Sequence, residues 1–135
     1  MFAITVKQPW AYHILNSGKN IENRTWKLPE HHRNTWIALH AAKTYDKTSN
    51  ETVITPTFLT PAEYGAILGF VKFSDCVENH PSQWAAFGQY HWVISEAVKI
   101  DKPIPCRGNL GLWRVDENLI QSVNTKIFVQ LALSS

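Results

Sequence analysis

At 135 residues the chain is long enough for one domain with a real hydrophobic core, and its 44% hydrophobic and 18% charged composition argues against extended disorder. A formal net charge of +2 permits a polyanionic partner without demanding one, so a basic surface has to come from local clustering. Met1 to Lys7 has no basic region leading into a long apolar run, and no stretch approaches the length of a membrane span. These features exclude a signal peptide and a membrane partner and predict a cytoplasmic protein. Cys76 and Cys106 show no metal-ligand spacing and read as free thiols.

In chain order, Phe2 to Val6 predicts a strand. Pro9 suits the first turn of a helix, where its missing N–H costs nothing. Trp10, Ala11, Ile14 and Leu15 recur at helical spacing, and Gly18 supplies a left-handed stop, so residues 9–17 read as a short amphipathic helix. Residues 20–26 read as a strand and 27–34 as a polar loop. Thr35 to Ala41 is a second clear strand. Residues 43–60 are polar and read as a surface excursion. Pro61 to Tyr64 predicts a helical turn with Thr60 as its cap. Ala66 to Phe73, apolar on both faces, predicts a central strand. Pro81 to Phe87 reads as a short helix and His91 to Val98 as a strand, followed by a proline-broken segment at 102–105. Gly111 to Val115 predicts a short strand, 116–123 a helical turn and Lys126 to Leu133 a last strand. Six or seven short strands with no βαβ rhythm predict an α+β fold: a small mixed sheet closing into a barrel, with short peripheral helices, as one domain over residues 1–135.

The stretch richest in chemistry is Gly18-Lys19-Asn20-Ile21-Glu22-Asn23-Arg24-Thr25-Trp26. A strand period of two puts Glu22, Arg24 and Trp26 on one face, with Lys19 at the mouth. Lys19 reads either as a solvated turn residue or as a cation that meets phosphate or stabilises a developing anion. Glu22 and Arg24 read either as a structural ion pair or as a carboxylate and a guanidinium facing a ligand. Trp26 ends the strand on the polar face and reads as a stacking ring or as packing. Trp36 and His40 share a face of the next strand, with Lys43 just past its end; His40 reads either as a satisfied structural residue or, with Lys43, as an extension of a positive cleft. Arg107-Gly108 is a loop in which glycine lets the backbone approach a phosphate. His31-His32 is a poor chelate, and no metal site is expected.

Gln8-Pro9-Trp10-Ala11, the Gly18-Lys19-x-x-Glu22-x-Arg24-x-Trp26 run, Trp92-Val93-Ile94, Pro103 to Gly108 and Leu110 to Trp113 resemble the signature of ASCH domains (activating signal cointegrator homology) over about residues 4–115. The resemblance implies a PUA-like pseudo-barrel with a cleft at one side and an association with RNA. Some members bind nucleic acid; others are hydrolases. Glu96 occupies a position where the family often has an acidic residue. Members that deacetylate acetylcytidine have a threonine three positions after the lysine. Here that residue is Glu22, so the threonine–lysine mechanism does not transfer.

The expected function is therefore binding of RNA or single-stranded nucleic acid, or of a nucleotide-like small molecule, through Lys19, Arg24, Trp26, Trp36, His40, Lys43 and Arg107, with no cofactor. The alternative is a metal-independent hydrolase of RNA or a modified nucleoside, with Lys19, Glu22 and Glu96 as catalytic groups.

Overall fold

The computed structural model describes residues 1–47 and 57–121. The strand expected over 126–133, the end of the turn expected over 116–123 and the middle of the 43–60 excursion lie outside the described residues. Among the described residues, six strands form one mixed sheet: β1 (Phe2–Gln8), β2 (Ile21–Arg24), β3 (Trp36–Tyr45), β4 (Ala66–Val77), β5 (Tyr90–Pro105) and β6 (Leu112–Arg114), in the order β2-β5-β4-β3-β1-β6. Of these strands only β1 and β3 pair in parallel; every other pair is antiparallel. The described residues also form two short α-helices, α1 (Trp10–Asn16) and α2 (Glu117–Ile120), which gives an α+β fold.

The sheet curls, and side chains close what the ladder leaves open. β6 pairs with β1 only from Phe2 to Ile4, so among the described residues that edge of β1 has no strand partner from Thr5 onward. β2 lies at the opposite end of the strand order, yet Arg24 Nη2 donates to the Thr5 carbonyl at 2.8 Å. The two ends of the sheet therefore face each other across a seam. The interior holds Ile4, Leu39, Val71, Phe73 and Trp92, and α1 packs Ala11 and Ile14 onto them. A second apolar cluster, with Trp36, Phe70, Ile100 and Ile104, lies with α2 around Ile120.

α1 connects β1 to β2 and packs on β1, β3 and β5. Gln8, fully buried, caps its start: Oε1 accepts from the Tyr12 N–H at 2.9 Å while Nε2 donates to the Glu63 carbonyl at 2.8 Å. Gly18 ends it at φ +72°, a left-handed turn that L side chains resist, and the Lys19 N–H folds back onto the His13 carbonyl at 3.1 Å.

The expected turn at 61–63 is present, with the Glu63 carboxylate accepting from the Thr60 hydroxyl at 3.2 Å. Two expectations are corrected. Residues 81–87 form turns, not a helix. The segment at 102–105 is unbroken strand, the end of β5. Among the described residues β5 pairs with β4 alone past Val93, and the Cys106 N–H points to the Gly65 carbonyl at 3.1 Å. Strand alternation then turns the positions of Pro103 and Pro105 away from β4, so their missing N–H groups break no bond of the β4–β5 ladder.

Candidate functional site

The seam opens into a cleft of about 880 Å³. β1 supplies Thr5, Val6 and Lys7; β2 supplies Glu22, Asn23 and Arg24; Trp10 and Lys19 come from the two ends of the α1 connection. Two loops form the mouth: residues 78–89 before β5, through Gln83, Trp84 and Gln89, and residues 106–111 before β6, through Asn109 and Leu110.

The floor is charged and buried. Glu22 is 6% exposed and Lys19 4%. Arg24 Nε donates to Glu22 Oε2 at 2.8 Å, Nη2 forms an ion pair with the same oxygen at 2.8 Å, and Nη2 donates to the Thr5 carbonyl. Lys19 Nζ lies 3.9 Å from Glu22 Oε1 and donates to the Ile21 carbonyl. Burial pushes the Lys19 ammonium below the usual lysine range; Glu22 opposes that shift and Arg24 adds to it. Trp10 stands over this floor, its centroid 5.9 Å from Lys19 Nζ and its indole N–H donating to Asp46 Oδ2 at 2.7 Å.

Both mouth loops are braced by buried histidines. In the first, His91 Nε2–H donates to the Ala86 carbonyl at 2.7 Å and Nδ1 accepts from the His80 N–H at 3.2 Å. Asn23 clasps the same loop twice, donating to the Trp84 carbonyl at 3.0 Å and accepting from the Ala86 N–H at 2.9 Å. Ser82 Oγ donates to Asn20 Oδ1 at 2.6 Å. Trp84 is thereby held against His13, with ring centroids 5.5 Å apart.

In the second loop, His40 Nε2–H donates to the Cys106 carbonyl at 2.9 Å, Nδ1 accepts from the Thr5 hydroxyl at 3.2 Å, and the Trp113 indole N–H donates to Thr5 Oγ1 at 3.0 Å. Gly108 lies on this array. A Cβ there would fall 2.6 Å from His40 Cε1 and 2.7 Å from Thr5 Oγ1, so only glycine fits. Burial lowers the His40 pKa, and its bond to Cys106 opposes the shift.

Of the residues singled out in the sequence, Lys19, Glu22 and Arg24 meet in the cleft. Arg24 has its Nε and Nη2 committed to Glu22 and Thr5, which makes it the clasp of the seam. The others are placed elsewhere. Trp26 leaves β2 and packs edge-on against Trp92 at 4.7 Å, because the strand ends at Arg24 and the face alternation ends with it. Trp36 is buried in the second cluster beneath Lys72 Nζ, 4.9 Å from its ring. His40 is 2% exposed and braces a loop. Lys43 is exposed beside Gly65, and Arg107 is exposed on the second mouth loop. Glu96 pairs with Lys72 at 3.4 Å on β4, facing away from the seam residues.

Sequence reasoning missed Trp84, Asn23 and Lys7. The signal for Trp84 was a large aromatic ring in a Pro-, Ser- and Gly-bounded stretch with no apolar periodicity to bury it. Among the described residues no group of three or more His, Cys, Asp or Glu side chains could hold a metal ion, and no helix is long and apolar enough to cross a membrane.

No family model matches the chain. It is 25% identical to Activating signal cointegrator 1 from Homo sapiens and 23% identical to Activating signal cointegrator 1 from Mus musculus, in each case over 96% of this chain and 25% of the relative. The chain thus spans about a quarter of the length of these relatives.

Proposed function

We propose that the chain is an ASCH-type domain that binds RNA or single-stranded nucleic acid, taking one nucleotide into the seam cleft. The observation that carries this reading is the pairing of a charged, buried floor with two indoles. Glu22, held by Arg24 and Lys19, is a fixed acceptor for a base amino group. Trp10 and Trp84 offer faces on which a base can stack. Gln83, Gln89 and Asn109 add amide donors and acceptors at the mouth, and the exposed Lys7 and Arg107 suit backbone phosphates. The volume lies within the roughly 300–1,000 Å³ typical of small-ligand sites. The similarity to the two cointegrators over nearly the whole chain supports treating it as one unit of the ASCH type.

The test is a fluorescence-anisotropy titration with a labelled single-stranded RNA decamer. With two phosphate contacts, affinity falls about sevenfold between about 50 and 200 mM salt. Trp84→Ala weakens binding by roughly 10-fold or more, the scale of one lost base stack. Binding that is absent at low salt, or indifferent to Trp84, overturns the reading.

One observation favours a second reading, metal-independent hydrolysis of RNA or a modified nucleoside. Lys19 is buried beside a carboxylate on the cleft floor, and burial pushes its ammonium below the usual lysine range, the direction that favours a lysine acting as a proton acceptor. Labelled RNA and acetylcytidine incubated with the wild type and Lys19→Ala test it. Turnover that requires Lys19 supports it, and turnover that survives the substitution removes this site.

A further inference from the structure

Among the described residues two large hydrophobic side chains stand fully in solvent: Phe87, 102% exposed, and Leu110, 98% exposed. A single exposed apolar residue needs no explanation. These two share a setting. Leu110, on the second mouth loop, lines the cleft, and Phe87, on the first, lies between the cleft-lining residues Ala86 and Gln89. Each precedes a glycine with positive φ, Gly88 at +82° and Gly111 at +65°.

Neither tip is loose at its base. The residue before Phe87 is pinned on both backbone groups, by Asn23 at its N–H and by His91 at its carbonyl. Leu110 lies between Gly108, seated on His40, and Leu112, where pairing with Ile4 begins. The loops are thus fixed while their apolar tips are held away from the core, an arrangement that lowers the ordering cost of a contact made by those tips.

We infer that Phe87 and Leu110 are a pair of clamps for the bases on either side of the nucleotide in the cleft, so that the binding unit is a run of at least three nucleotides. The inference rests on the nucleic-acid reading of the cleft and extends it from one nucleotide to its neighbours. Charge favours this occupant: Arg107, exposed three residues before Leu110, and Lys7 on the cleft wall bring cations to the same entrance, as a phosphate backbone passing between the tips requires. Phe offers a stacking face and Leu an apolar contact, and both residue types pack against or between bases in other nucleic-acid binders.

Both side chains are outside the core, so their removal leaves the fold intact. The experiment compares the wild type, Phe87→Ala, Leu110→Ala and Phe87→Trp, using a fluorescein-labelled single-stranded pentanucleotide by anisotropy and adenosine or uridine monophosphate by amide chemical shifts. Phe87→Ala weakens pentanucleotide binding about 10-fold and Phe87→Trp restores it, as expected for one base stack. Leu110→Ala weakens it roughly threefold, the smaller effect of an apolar contact without a ring. Mononucleotide binding is unchanged in both Phe87 variants. Pentanucleotide affinity that is untouched by both alanine substitutions overturns the inference and leaves the tips to a protein partner. Equal losses for mononucleotide and pentanucleotide on Phe87→Ala also overturn it, because Phe87 would then act only on the cleft. A wild type that binds neither probe refutes the cleft reading itself.

Discussion

Two glutamate-centred ion pairs occupy two regions of the sheet and do different things. Glu22 and Arg24 sit at the seam, with side-chain exposures of 8% and 21%. Glu96 and Lys72 sit on the antiparallel β4–β5 ladder, where the Glu96 side chain is 48% exposed. On the ladder, backbone hydrogen bonds already join the strands, so the ion pair is added to a closed structure. At the seam the backbone ladder has ended, and Arg24 is the link between β2 and β1. Where main-chain pairing stops, charged side chains are recruited and buried, and the same break leaves room for a ligand. The difference between the regions locates the cleft without reference to any relative.

The sharpest way to break this comparison is Arg24→Ala. It removes the seam link and leaves Glu22 buried with only Lys19 nearby, so urea unfolding registers a loss of about 3 kcal/mol, the lower end for a broken buried pair because Arg24 is partly solvated. A loss below about 1 kcal/mol makes the two pairs equivalent and ends the distinction. Gly108→Ala attacks the seam from the loop side. Its Cβ has no space against His40 and Thr5, and the cost is about 1–3 kcal/mol of overpacking.

A smaller effect comes from acid. Burial holds the folded His40 below the usual imidazole value of 6.5, so above that value both states are neutral and the brace contributes in full. As pH falls through 6.5 the unfolded chain takes up the proton first, and stability declines until the folded histidine titrates. His32, also lowered by burial, adds to the same slope. Urea midpoints measured at about pH 7 and pH 5.5 therefore fall for the wild type and fall less for His40→Gln. The smallest effect is Glu96→Gln, within about 0.5 kcal/mol by the same unfolding assay, since an exposed pair on an intact ladder contributes little.

The fold was legible where its signals are local. The helix after Pro9, the Gly18 stop, the turn at Pro61 and the apolar run of β4 follow from spacing, capping and φ preference. Lys19, Glu22 and Arg24 were legible as one group because strand alternation and a tight turn place them together. The limits were set by long-range partners. Residues 81–87 have enough apolar content for a helix, but their backbone groups bond to Asn23, far away in sequence, and to His91 on the strand that follows. Pro103 and Pro105 suggested a break because sequence does not reveal that alternation turns both away from β4, their ladder partner. Alternation left Trp26 open between stacking and packing and put Trp36 and His40 on one strand face without saying which way it points; which face of a curled sheet becomes interior is a property of the closure, and Trp92, Lys72 and Cys106 meet them there.

The most direct test of the central claim is a two-dimensional amide and indole NMR titration of the intact chain with a short single-stranded RNA. The account predicts that the Trp10 and Trp84 indole N–H signals and the backbone amides of residues 19–24 move together and saturably, while Lys72 and Glu96 stay still. Shifts centred on Lys72 and Glu96, or no saturable shift at the two indoles, would contradict it.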